Sequence, residues 1–260
     1  MVVLSQPILD TFSDIKIIRP PISLFHEIPV IDLSSPDAKT EIVEACKEFG
    51  FFKVINHDVP FDFISKLEAE AVRFFKLSQS EKEKATPANP FGYGSKKIGP
   101  NGDIGWVEYL LCSMNPELAH EKSLTVFSDN SEQFWSLVND YVLAVRNMAC
   151  GVLEMIADRL RIEPRNLLSR LIKDEKSDSI FRLNHYPPCP SELQSLSSLN
   201  LLGFGEHTDP QIISVLRSNT TSGLQISVKD GTWVAVPPDP FSFFINVGDS
   251  LQVCSFIPFS

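Results

Sequence analysis

A surplus of positive charge is missing from this 260-residue sequence: 23 Lys and Arg stand against 33 Asp and Glu, a formal charge of -10. That balance gives no general attraction for nucleic acid or anionic lipid, both of which are met by basic surfaces. Cysteine is sparse and scattered. Cys46, Cys112, Cys150, Cys189 and Cys254 form no C-x-x-C pair, so neither a structural zinc site nor a disulfide framework is indicated, and a reducing, cytoplasmic setting is expected. No segment approaches the roughly 18 consecutive apolar residues of a membrane span. The first Lys or Arg is Lys16, which argues against a secretory or transit leader. Histidine is also scarce, with five in all and none after His207, a scarcity that bears on the chemistry below.

What is present has the hydrophobic content, 43%, of a chain able to bury a substantial core. "IPVIDLS" (28–34) predicts a short strand, and Ser35 with Pro36 an N-cap and first helical position. Ile42, Val43, Cys46 and Phe49 recur at helical spacing, Gly50 closes that helix, and "FFKVINH" (51–57) predicts a buried strand. Residues 61–76 predict an amphipathic helix and "SQSEKEKA" a short solvated one. Residues 86–105, with five Gly and three Pro, predict a long loop around Phe91–Gly94, either a lid or a plain connection. From Ser131 to Leu160 one apolar face persists and predicts a long helix. One more helix is expected over 164–173. The remainder breaks into short β-rich runs, "SIFRLNHY", "LLGFGEHTD", "QIISVLRS", "GLQISV", "GTWVAV", "FSFFINVG" and "DSLQV", the texture of a sandwich or jelly roll. The fold class is therefore α+β, helical half first.

Within "GFGEHTDP" (203–210), His207 and Asp209 are two residues apart. On a strand such a pair shares a face. An imidazole and a carboxylate, completed by a second imidazole, form the facial triad of non-haem Fe(II) oxygenases. The spacing alone is unspecific, because a surface His followed by a turn Asp gives the same pattern. Asn184 and Tyr186 are a second i, i+2 pair, and Arg182 shares their face, suited to a carboxylate through its planar fork or simply snorkelling at a sheet rim. His57 reads as the hydrogen-bonded end of a core strand, and His185 alternates away from Asn184 and Tyr186. Trp106 and Tyr109 in "GWVEYL", with Tyr93 in the loop, are candidates for a substrate pocket wall, although aromatic side chains bury for area alone.

Together, "FFKVINHDVP" (51–60), "FRLNHYPPCP" (181–190), "GEHTDPQIISVLRSNTTSGLQI" (205–226) and "GTWVAVPPDPFSFFINVGDSLQV" (231–253) resemble the plant 2-oxoglutarate/Fe(II)-dependent dioxygenases. "GDIGWVEYLL" (102–111) and "SIFRLNHYPPCP" are similar to the gibberellin 2-oxidase branch, which hydroxylates and inactivates a diterpenoid hormone. The resemblance implies a double-stranded β-helix (jelly roll) with an N-terminal dioxygenase region (1–130), supporting helices (131–175) and an Fe(II)/2-oxoglutarate core (176–253). It implies His207 and Asp209 as iron ligands and Asn184 and Tyr186 as contacts of 2-oxoglutarate. It further implies ascorbate as reductant and a gibberellin as small-molecule substrate, for which Arg182, Trp106, Tyr109 and Tyr93 are the candidate contacts read from the residues themselves. Other plant dioxygenase substrates, such as flavonoids, are the alternative within enzymes.

In that family the second iron-binding His follows the Asp by roughly fifty to sixty residues, and an Arg-x-Ser pair anchors the far carboxylate of 2-oxoglutarate. Here no His follows His207 and the last Arg is Arg217. The expectation is a jelly roll lacking its last strands, with "CSFIPFS" (254–260) as a tail outside the family pattern, such as read-through into an intron would give. A non-catalytic isoform that binds hormone or full-length subunits is the corresponding alternative.

Overall fold

The structure, a computed structural model, describes residues 22–23, 28–85, 91–95, 107–115, 131–174, 176–188 and 203–254. In chain order the strands and helices are β1 (Ile22–Ser23), β2 (Val30–Asp32), α1 (Ala38–Glu48), β3 (Phe51–Ile55), α2 (Phe61–Phe75), α3 (Gln79–Glu83), β4 (Gly92–Ser95) and β5 (Glu108–Ser113). There follow α4 (Ser131–Leu160), α5 (Leu167–Lys173), β6 (Ile180–His185), β7 (Ile213–Leu216), β8 (Gln225–Ser227), β9 (Trp233–Ala235), β10 (Phe243–Val247) and α6 (Asp249–Cys254). No described helix is long and apolar enough to cross a membrane.

The described residues fall into two compact units, each discontinuous in sequence. One draws on Glu70–Gln133 and Asp178–His207, the other on Pro20–Ala69, Phe134–Ser177 and Thr208–Ser260. The units break after Gln133 and after Ser177, close to the boundaries expected at 130 and 175, and also after Ala69 and His207.

The second unit carries the main core. Its four-stranded sheet runs β2-β3-β10-β7, parallel between β2 and β3 and antiparallel elsewhere. β10 is central, and Phe243, Phe244, Ile245 and Val247 are all buried. Ile42, Val43 and Cys46 of α1 and Val152, Leu153 and Ile156 of α4 pack with Phe52, Val54, Phe243 and Ile245 in one cluster. The helical stripe read from the sequence is this contact. A smaller sheet, β1-β9-β8, belongs to the same unit. In the first unit β4, β5 and β6 form an antiparallel sheet.

Four local expectations are corrected. α1 is capped by Asp37, without a side-chain cap bond, since residues 32–37 form turns in which the Asp32 carboxylate takes both N–H and Oγ–H of Ser34. Gly92–Ser95 is strand rather than loop, because it finds a ladder partner in β5. "DSLQV" is helical: Leu251 fills the core at 1% exposure, and the Gly248 carbonyl accepts from the N–H of Leu251 and Gln252. A five-residue apolar pattern does not separate strand from helix.

The fourth correction concerns "LLGFGEHTD", read as strand. Described residues 203–212 make no ladder, and Pro210 offers no N–H for one. Instead the segment is pinned to the turn after β10. The N–H of Asp249 donates to the Asp209 carbonyl (2.8 Å) and that of Gly248 to the Ile212 carbonyl (3.1 Å). The hydroxyl of Thr208 donates to Asp249 Oδ2 (2.8 Å), and that of Ser250 to the Pro210 carbonyl. The approach is so close that a Cβ at Gly248 would overlap the Gln211 carbonyl and lie 2.9 Å from the Asp209 carbonyl oxygen.

Gly248→Ala must therefore push backbone apart, a clash of about 1–3 kcal/mol or more. The thermal midpoint should fall by about 2–4 °C for each kcal/mol in a chain of this size. An unchanged midpoint would contradict this packing.

Candidate active site

Strands β5 and β6 are in register with Glu108 opposite His185, Tyr109 opposite Asn184, Leu110 opposite Leu183 and Leu111 opposite Arg182. Since directly paired residues share a face and neighbours alternate, the sheet has two chemically distinct sides. One carries Tyr109, Leu111, Arg182 and Asn184, all partly or fully exposed; the other carries Glu108, Leu110 and Cys112, all buried.

On the accessible side Arg182 Nε donates to Asn184 Oδ1 (2.8 Å). Its guanidinium lies 4.3 Å from the Tyr109 ring centroid and 4.9 Å from that of Phe204. The cation is thus held between two aromatic faces and makes no ion pair with a described carboxylate. Burial lowers its pKa, offset by Tyr109 and Tyr186, yet a guanidinium stays charged at any physiological pH. The arrangement is an aromatic-walled cation, not a charge snorkelling into open water. Tyr109 reaches it because β4 has glycine beneath the ring: a Cβ on Gly94 would sit 2.5 Å from Cζ and 2.6 Å from the hydroxyl oxygen. Tyr186 lies just past β6, 52% exposed, its ring over Gly203, where a Cβ would meet it at 2.7 Å. Burial raises its phenol pKa, countered by Arg182.

The buried side holds a network that the sequence did not reveal. Glu108 Oε2 accepts from Lys82 Nζ (2.6 Å) and from the Tyr93 hydroxyl (2.6 Å), and Oε1 pairs with His185 Nδ1 (2.7 Å). His185 stacks on Phe75 at 5.1 Å. α3, expected to be solvated, buries Lys82 to 7% exposure for this purpose, and Ser78 caps the helix by accepting from the N–H of Glu81. Tyr93, a candidate substrate contact, is only 6% exposed; its hydroxyl is committed to Glu108, behind the face that carries Arg182. Trp106 lies outside the described residues.

His207 is exposed and closes this unit. Its Nδ1 lies 2.7 Å from the Gly205 carbonyl. A carbonyl only accepts, so Nδ1 carries a proton, the arrangement in which a metal-ligating imidazole binds through Nε2. Its ring meets that of Phe204 at 4.4 Å, so Phe204 touches both His207 and Arg182. Phe204 stood in the H-x-D stretch without an assigned role.

Asp209 belongs to the other unit. Its Oδ2 accepts from Asn246 Nδ2 (2.6 Å) and Ser214 Oγ (2.6 Å). His57, also in that unit, accepts at Nδ1 from the N–H of Val59 and donates from Nε2 to the Phe241 carbonyl. Both nitrogens are used, in keeping with a structural role. Among the described residues no group of three or more His, Cys, Asp or Glu is placed to hold a metal. An imidazole nitrogen and a carboxylate oxygen are donor types that suit ferrous iron. Cys46 and Cys112 do not compete for such a role, because burial pushes their thiols up to about 12.

Residues 28–133 match the family described as non-haem dioxygenase in morphine synthesis N-terminal, and residues 177–259 the 2OG-Fe(II) oxygenase superfamily. The latter match continues past Val253, where the motif resemblance ends. The chain is 63% identical over 253 residues to a gibberellin 2-beta-dioxygenase of Phaseolus coccineus, covering 97% of this chain and 75% of that protein. It is 56% identical to gibberellin 2-beta-dioxygenase 1 of Pisum sativum with the same coverage. The chain thus spans about three quarters of the length of these relatives. Among solved structures it is similar to JOX2 in complex with 2OG, Fe and JA, with a TM-score of 0.73 and 26% identity over 90% of this chain and 67% of that one. It is likewise similar in fold to the dioxygenase for auxin oxidation 1 from Arabidopsis thaliana in its binary complex with 2-oxoglutarate, with a TM-score of 0.71 and 22% identity over 87% of this chain and 82% of that one.

Breaking the buried network should be costly. Glu108→Gln leaves Lys82 buried without its counter-charge, a loss of about 3–5 kcal/mol at neutral pH. Desolvation raises the Glu108 pKa, but bonds from Lys82, Tyr93 and His185 together outweigh it, and the net shift is downward. A depressed folded pKa stabilises above the unfolded value of about 4.3 and fades as pH falls through the folded one. In urea titrations the gap between Glu108→Gln and the unaltered chain should close below about pH 4. A gap independent of pH would contradict the assignment.

Proposed function

The chain belongs to the 2OG-Fe(II) oxygenase superfamily, a family of double-stranded β-helix dioxygenases using Fe(II) and 2-oxoglutarate, and on that premise we propose that it acts as a gibberellin 2-beta-dioxygenase in the cytoplasm. The observation that carries this reading is the identity with gibberellin 2-beta-dioxygenases across nearly the whole chain. Iron, when bound, supplies dioxygen activation coupled to decarboxylation of 2-oxoglutarate to succinate, the oxidising power for ring hydroxylation.

The residues of the chain do the positioning. His207, its Nδ1–H tied to Gly205, presents Nε2 to the metal, and Asp209 presents a carboxylate fixed by Ser214 and Asn246. Asn184 and Tyr186 orient 2-oxoglutarate. Arg182, charged and walled by Tyr109 and Phe204, faces the accessible side of the sheet and receives a carboxylate, which a gibberellin carries. Tyr109 lines the diterpenoid, with Trp106 as the second aromatic candidate from the sequence, and Tyr93 supports the same sheet from behind through Glu108. No histidine follows His207, and the two iron ligands assigned here are His207 and Asp209.

The test is gibberellin hydroxylation and succinate release with Fe(II), 2-oxoglutarate and ascorbate. It is run on this chain and on the chain joined to the part of the Phaseolus coccineus relative that it does not cover. We expect 2-hydroxylated gibberellin from the joined protein, at least 100-fold less from its His207→Ala variant, and at least tenfold less from the 260-residue chain, since even an outer metal partner is worth 10–100-fold. Arg182→Ala should raise KM for gibberellin about tenfold or more, the worth of a charged hydrogen bond. Turnover of flavonoids in place of gibberellins, or none in the joined protein, would overturn the reading.

A further inference from the structure

Asp209 is held by a pair of residues that the ladder itself aligns. Asn246 on β10 and Ser214 on β7 are directly opposite one another, so both side chains leave the sheet on one face. They converge on a single atom, Oδ2 of Asp209, each at 2.6 Å. Gln211 Nε2 donates to Ser214 Oγ (2.5 Å), which orients that hydroxyl so its proton points to the carboxylate. The backbone of Asp209 is pinned independently by Asp249. Two donors on one oxygen and a bond on the carbonyl leave the side chain little freedom about χ1 or χ2.

We propose that the cross-strand pair Asn246 and Ser214 is the positioning clamp of the metal-binding carboxylate, setting which oxygen of Asp209 the metal takes and holding it ready before metal arrives. The inference rests on Asp209 being an iron ligand. Neither residue is a ligand; both act through Asp209. Two neutral donors suit the task, since they leave the carboxylate its full negative charge while saturating one oxygen. Asn246 sits in the central strand, whose neighbours Ile245 and Val247 are buried, and its amide is the polar exception in an apolar run. Asp209 supplies that amide with the partner a half-buried polar group requires.

Calorimetric titration with Co(II), a redox-stable stand-in for Fe(II), tests this on the full 260-residue chain, with the melting temperature of each metal-free variant measured alongside. The expected result is binding by the unaltered chain and none by Asp209→Ala. Asn246→Ala and Ser214→Ala should each weaken binding 10–100-fold while melting close to the unaltered chain, and Ser214→Thr, which keeps the hydroxyl, should restore affinity. If Asn246→Ala and Ser214→Ala bind Co(II) as the unaltered chain does while Asp209→Ala does not, the clamp is overturned and the ligand reading survives. If affinity falls only where the metal-free melt falls with it, the pair is merely structural and the clamp is overturned. If the unaltered chain takes up no Co(II), the ligand reading fails and the clamp with it.

Discussion

The hydrogen bonds from the turn after β10 to residues 208–212 are the constraint on which the rest of the candidate site depends. A segment carrying Gly203, Gly205 and Pro210 has little intrinsic order, and Pro210 forbids a continuous ladder. It is fixed instead because Gly248 lets two backbones meet where any Cβ would collide, and because Asp249 and Ser250 return bonds to Thr208, Asp209 and Pro210. The anchor is firm because β10 lies between β3 and β7 with its side chains in the core. Core packing, a tight turn and the orientation of one carboxylate are therefore links in a single chain of cause.

The β4-β5-β6 sheet solves a different problem, that of keeping polar chemistry on an ordered surface. Its accessible face carries a cation with aromatic walls, and its hidden face carries an anion with three donors. The two are coupled by strand alternation: Glu108 and Tyr109 are neighbours on β5, as are Asn184 and His185 on β6. Fixing Glu108 and His185 fixes the backbone from which Tyr109 and Asn184 project. The buried charges add little net stability on their own, because desolvation opposes their attraction.

Much of this was legible in the sequence. α4 spans Ser131–Leu160 as its apolar face indicated, because thirty residues average out local ambiguity. β6 and the shared face of Arg182 and Asn184 follow from period-two alternation over a six-residue strand. Shorter or longer-range features were not legible. "DSLQV" is too brief for its period to register. The H-x-D stretch looked like strand from its apolar, Gly-punctuated composition, but residues 208–212 are held by bonds to residues some forty positions away, a contact no local pattern encodes. Lys82 looked solvated in a charge-rich helix because its partner, Glu108, lies on another element. Tyr93 looked like a loop tip because the pairing of β4 with β5 is tertiary. Asn246 and Ser214 left one hint, polar residues in apolar runs, whose meaning depends on what they face.

The central claim is that His207 and Asp209 form the metal-binding end of a keto-acid site. Anaerobic addition of Fe(II) and 2-oxoglutarate to this chain, monitored for the visible charge-transfer band of iron chelated by the keto acid, tests it most directly. The account predicts a band that appears only with both components and is lost in His207→Ala. A band of equal strength in that variant, or no band in the unaltered chain, would contradict it.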